Sequence, residues 1–214
     1  LAFTNEVTGA QIWQLEDIGS QGHILRATQV NYDGFGNSGY ASVLHLLKFN
    51  NRILAYVQNN GDGNVRVLRT PVDSSQAYEY MSWEFLTDLG LWAEGLDAAA
   101  VFENVIYIAN SDPASVYTST DGRTYSLLTS INQQVSQLKF VNNLDRLYAA
   151  ATARRSCYNG RQNLHYTTDG VTWQLDASRP EKTFCYTHVI PKPNSSTIYF
   201  LGLDHFPMGL VLLH

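Results

Sequence analysis

Apolar and polar residues alternate along most of this chain in short runs broken by turn residues, the pattern of strands with one buried face. Residues 164–175 show it best. Leu164, Tyr166 and Thr168 alternate with His165 and Thr167. Asp169-Gly170 then supplies a tight turn, since glycine accepts a positive φ and aspartate bonds turn backbone. Thr172 and Trp173 restart a strand. Residues 116–127 carry the same pattern: Ser119, Thr120, Asp121, Gly122, Arg123, Thr124 and Tyr125 match 167–173 position by position. The offset, 173 − 125 = 48 residues, predicts a repeat protein built from blade-sized units.

A second repeated pattern is a strand, a polar turn and a strand. It occurs at residues 46–55, around Asn50-Asn51, at 99–109, around Glu103-Asn104, and at 138–149, around Asn143. A looser copy spans 188–200. Each copy is followed by a third strand, at 65–70, 116–120, 164–168 and 210–214. Three copies carry a fourth, at 83–86, 124–128 and 172–175. The last copy lacks its fourth strand, while residues 12–15 are a spare one: Ile12-Trp13-Gln14-Leu15 parallels 172–175.

The expected fold is therefore all-β: a single β-propeller over residues 1–214, with four blades of four antiparallel strands closed by the N-terminal strand. The blades run roughly 16–86, 87–128, 129–175, and 176–214 plus 1–15. Closing the ring removes an exposed sheet edge. Residues 16–41, rich in Gly, Asn, Asp and Tyr, read mainly as a long loop, with a candidate strand at 24–30. A fifth blade hidden there stays open, as does a β-sandwich of similar strand count.

The turns at Asp121-Gly122 and Asp169-Gly170, with Trp173, resemble the Asp-box (BNR-like) hairpin of β-propellers such as sialidases and sortilin-type receptors. Both are one residue short between Asp and Gly. The resemblance implies a structural staple on the outer edge of a blade, with the aspartate tying the turn and the aromatic packing between sheets. Asp97-Ala98-Ala99 faintly resembles the opening of a hemopexin-type blade, which would imply a structural or oligomerising extracellular domain.

Composition narrows the class. Charged residues are 15% of the 214, against about 25% in ordinary domains, and 13 tyrosines stand among many uncharged polar residues. A net charge of −5 leaves no basic stripe for phosphates, which argues against nucleic acid. No apolar run approaches the ~20 residues of a membrane span. Leu1 in place of methionine suggests a processed or trimmed chain. Cys157 and Cys185 are either a disulfide or two free thiols; same-face placement in neighbouring blades favours the bond. Asn194-Ser195-Ser196 is a glycosylation sequon. Together these features point to a secreted glycoprotein.

In a four-stranded blade, the loops between strands two and three share a face with the connections between blades. That face collects Tyr32, Asp33, Tyr40, Trp92, Glu94, Arg154, Asp204 and His205. Flat aromatics can pack on sugar C–H faces, while carboxylates and amides take hydroxyls. These residues are the candidate ligand-binding set. The six histidines are scattered, so no metal or other cofactor is expected. There is no Gly-x-Ser-x-Gly elbow or Gly-rich phosphate loop. The leading expectation is a secreted lectin-like module without catalysis, with a glycan or glycoprotein as partner and a homo-oligomer possible. The alternatives are a glycoside hydrolase or lyase on the same scaffold, which needs paired carboxylates, and the structural hemopexin-like domain.

Overall fold

The structure, a computed structural model, describes residues 2–3, 7–17, 19, 25–71, 83–111, 114–129, 137–143, 145–152, 164–175, 185–191 and 198–203. Almost all the regular structure is antiparallel strand, as alternating apolar and polar residues dictate. Contacts divide the chain into two units: Leu1–Glu94 with Asp121–Thr124, and Gly95–Thr120 with Tyr125–His214.

The first unit holds two sheets. One orders β1 (Ala2–Phe3), β2 (Gln11–Asp17) and β3 (Leu25–Gln29) side by side. The other is a four-stranded meander of β4 (Tyr40–Phe49), β5 (Arg52–Asn59), β6 (Asn64–Arg69) and β7 (Glu84–Trp92). Ile12, Val30, Ala55, Val57, Leu68 and Trp83 form the shared core, with Phe35 and Tyr40 packed against it. Trp83 is buried, meets Phe35 edge-on at 5.1 Å and donates its indole N–H to the Val30 carbonyl at 3.4 Å.

The second unit repeats the meander. β8 (Leu96–Phe102), β9 (Val105–Ser111), β10 (Ala114–Ser119) and β11 (Ser126–Thr129) form one sheet. β12 (Gln137–Asn143), β13 (Arg146–Thr152), β14 (Leu164–Thr167) and β15 (Gln174–Leu175) form the next. β16 (Cys185–Pro191) pairs with β17 (Ile198–Leu203). Ala98, Phe102, Tyr107, Ala109 and Val116 of the first of these sheets meet Leu147 and Ala149 of the second in one buried layer.

The polar turns close as two-residue hairpins. Asn50 and Asn51 sit at φ 47° and 58°, and Glu103 and Asn104 at the same two values. Both central residues are left-handed, as a type I′ turn requires to match strand twist.

Two expectations need correction. Residues 12–15 belong to β2, which pairs with β3 from Trp13↔Gln29 to Asp17↔Leu25 and with β1 at its start. They are thus the middle strand of a sheet built from residues 2–29. The likeness of Ile12–Leu15 to 172–175 is local, whereas sheet membership is set by a partner the local pattern does not name. Within residues 16–41 the candidate strand at 24–30 is present as β3, and Asp33–Gly36 is a turn in the connection after it, with Gly34 and Phe35 at φ 55° and 57°. The second correction is that β7 does not stop at Leu86 but runs on to Trp92. Arg66↔Asp88 and Asn64↔Trp92 are both paired, so Leu89, Gly90 and Leu91 bulge opposite Val65. Gly90, at φ 64°, makes that bulge possible, and its N–H bonds Asp88 Oδ1 at 2.8 Å.

Candidate functional site

In the first unit, Tyr40 and Trp92 lie at one end of the β4–β7 sheet, Glu94 follows directly in the Ala93–Gly95 turn, and Tyr32 and Asp33 lie in the connection that leads from β3 into β4. The end is assembled by backbone bonds. Asn60 N–H reaches the Gly39 carbonyl at 2.8 Å, Gly63 N–H reaches Asn59 at 2.7 Å, and Ala93 N–H reaches Gly63 at 2.9 Å. These tie the 30–39 connection, the β5–β6 turn and the end of β7 together. The Asn50-Asn51 turn lies at the opposite end of the same strands.

Asn31 fixes the 30–39 connection. It is fully buried; its Oδ1 accepts the Ile12 N–H at 2.7 Å, and its amide donates to the carbonyls of Ala10 at 3.0 Å and Tyr32 at 2.7 Å. Tyr32 beside it is half exposed. Asp33 Oδ1 accepts from the amides of Gln11 and Gln29, each at 2.8 Å, which holds the carboxylate in one orientation. Tyr40 is half-buried against the core, so its ring serves packing first.

Trp92 is different. It is 68% exposed, the largest exposed aromatic among the described residues. Its six-membered ring lies over Gly63: a Cβ there would sit 2.8 Å from Cζ3. Next to it stands a charged trio that sequence analysis does not single out. Arg66 Nη2 bonds Asp62 Oδ2 at 2.5 Å. Arg66 Nη1 lies 2.8 Å from Asp88 Oδ2 but off the hydrogen-bonding line, so that contact is charge attraction rather than a directed bond. The Asn64 N–H and the Arg66 guanidinium hold the Asp62 carboxyl below its ordinary range. The signal in the sequence was Arg66 alternating with Val65 and Val67, four residues after an aspartate-containing turn.

The two Asp-Gly turns spend their carboxylates on backbone. Asp169 Oδ1 accepts the N–H groups of Val171 and Thr172, each at 2.8 Å, and the Thr167 hydroxyl at 2.9 Å. Those donors, Thr172 first, depress its pKa far below 3.8. Asp121 Oδ1 likewise accepts from Arg123 N–H at 2.7 Å and Thr124 N–H at 2.8 Å. Gly122 and Gly170 are buried at φ 75° and 73°. Trp173 packs 6.4 Å from Tyr107 and 6.3 Å from Phe140. The Arg123 side chain reaches Glu84, which Arg69 also holds at 2.6 Å.

Arg154, Cys157, Asn194, Asp204 and His205 lie outside the described residues, so the proposed disulfide to Cys185, at the head of β16, does too. No helix among the described residues is long and apolar enough to cross a membrane.

No protein family and no curated protein matches the chain. Solved structures do. An exo-β-1,3-galactanase from Phanerochaete chrysosporium, solved with galactose, aligns at TM-score 0.51 and 8% identity over 91% of this chain and 50% of its own. A family 117 glycoside hydrolase from the marine bacterium Zobellia galactanivorans aligns at 0.49 and 13% over 83% and 58%. A putative exo-β-1,3-galactanase from Bifidobacterium bifidum aligns at 0.46 and 11% over 91% and 73%. The chain thus spans 50% and 58% of the first two relatives' lengths. The likeness to the Phanerochaete enzyme is one of fold, and the folds matched are β-propellers of glycoside hydrolases.

Proposed function

We propose that this chain is a carbohydrate-acting β-propeller of the glycoside-hydrolase kind, with its ligand held at the loop end of the sheets. The observation that carries the reading is the fold likeness to a galactanase across 91% of the chain. The separate sheet over residues 2–29 supports counting five blades rather than four. The turns at Asp121 and Asp169 are read as Asp-box staples, spent on their own hydrogen bonds and turned away from chemistry. Secretion, the Cys157–Cys185 bond and a glycan on Asn194 belong to the same reading.

A second reading, sugar binding without cleavage, is favoured by the exposure of Trp92 beside fixed carboxylates. One experiment separates the two. The protein is incubated with neutral β-linked galacto-, gluco- and fructo-oligosaccharides; released sugar is measured by chromatography and binding by calorimetry. Release is expected. Binding without release supports the second reading, and neither binding nor release overturns both.

A further inference from the structure

We propose that Trp92, with Asp62, Arg66 and Asp88, forms a stacking subsite for one neutral pyranose ring at the end of the paired strands β6 and β7. It rests on the carbohydrate reading for the kind of ligand and does not depend on cleavage. Asn64 and Arg66 are two apart on β6 and point to one face, and their paired partners Trp92 and Asp88 point there with them. That face also carries Leu68, and Arg66 lies opposite Val57, both in the core of the first unit, so the cluster occupies the solvent-exposed end of the core face, while Val65 and Val67 alternate with it and are buried on the other face.

The Gly90 bulge sets Trp92 at the strand's end, where its ring rests on Gly63. The platform is therefore supported from below and open to solvent. Stacking on a fixed indole costs little conformational entropy, which is why such rings anchor ligands.

The polar half is equally fixed. Asp62 binds the Asn64 N–H at 2.9 Å with one oxygen and Arg66 with the other. Asp88 binds the Gly90 N–H with Oδ1 and lies against Arg66 with Oδ2. Both carboxylates remain about two-fifths exposed (41% and 42%), while Arg66 is 12% exposed. Each can still accept ligand hydroxyls without moving. Two carboxylates and one guanidinium leave the trio one negative charge in excess. Uronates and sulfated sugars are thus repelled, and an uncharged ring is favoured.

The test uses the intact chain. Galacto-oligosaccharides and their galacturonate and sulfated counterparts are titrated by calorimetry and by tryptophan fluorescence, with melting curves alongside. Neutral sugars should bind and perturb indole emission. Trp92→Ala should weaken them about tenfold or more at unchanged melting temperature. Trp92→Tyr should retain most of the affinity. Asp62→Asn with Asp88→Asn leaves Arg66 in positive excess and should shift preference toward the anionic sugars. Normal binding by both Trp92→Ala and the double variant would sink the subsite while leaving the carbohydrate reading standing. Tighter binding of anionic sugars by the unmodified chain would overturn the ligand class. Self-association in sedimentation that Trp92→Ala abolishes, without sugar binding, would assign the face to a second copy of the chain.

Discussion

The hydroxyl of Tyr107, on β9, donates to the backbone carbonyl of Gly170 at 3.1 Å, joining one four-stranded sheet to the turn of the next. The ring is nearly fully buried, and burial raises the phenol pKa, so the group stays a donor. Tyr107→Phe removes the donor and strands the carbonyl. The expected loss is about 1–2 kcal/mol. Gly170→Ala should cost more, about 2–4 kcal/mol, because φ is 73° and the new Cβ would fall 2.0 Å from the tyrosine oxygen. Calorimetric melting of both variants checks the order.

Asp169 makes stability acid-sensitive in a defined direction. Its folded pKa lies well below the ordinary 3.8, so its contribution is complete above about pH 4 and is lost as pH falls toward the folded value. Asp169→Ala should therefore lower the melting temperature by a constant amount from pH 5 to 8. The gap should narrow on acidification below pH 4. A gap that widens in acid would contradict the turn's electrostatics.

Glu103 occupies a left-handed position that suits asparagine or glycine better. Glu103→Asn should stabilise the protein by roughly 0.5–1 kcal/mol. The same change is already present at the equivalent site, Asn50, which supplies the internal control. Urea unfolding with an unchanged m-value tests it.

Asn31 satisfies three backbone groups from a fully buried position. Asn31→Ala should cost about 2–4 kcal/mol. Asn31→Asp should also be costly, because it keeps the acceptor for Ile12 but loses the donors for Ala10 and Tyr32. Equilibrium unfolding of the pair distinguishes lost donors from lost volume.

Strand pairs and turns were legible because both depend on neighbours in sequence. Asn50-Asn51 and Asp169-Gly170 carry their geometry in two residues, and the packing of Trp173 follows from its place after the turn. Partnership was not legible. Nothing near Trp13 announces that Gln29 lies opposite it, and the Asp88-Leu89-Gly90 segment has the composition of a turn while pairing as a bulged strand. That misreading put Trp92 in a loop. The site residues Asp62 and Arg66 were hidden for the same reason: their relation to Asp88 exists only across a ladder.

The bond between Tyr107 and Gly170 also has a meaning during synthesis. When the ribosome has released residue 129, the β8–β11 sheet has its strands but not its cover: Leu147, Ala149 and Trp173 do not yet exist. At about 5–20 residues per second, the remaining 44 residues (173 − 129) take roughly 2–9 s to emerge. For that interval Ala98, Phe102, Tyr107 and Val116 face water or whatever chaperone is at hand. Nascent chains arrested between residues 130 and 172 should aggregate or recruit chaperones, and release past Trp173 should end the exposure in a single step.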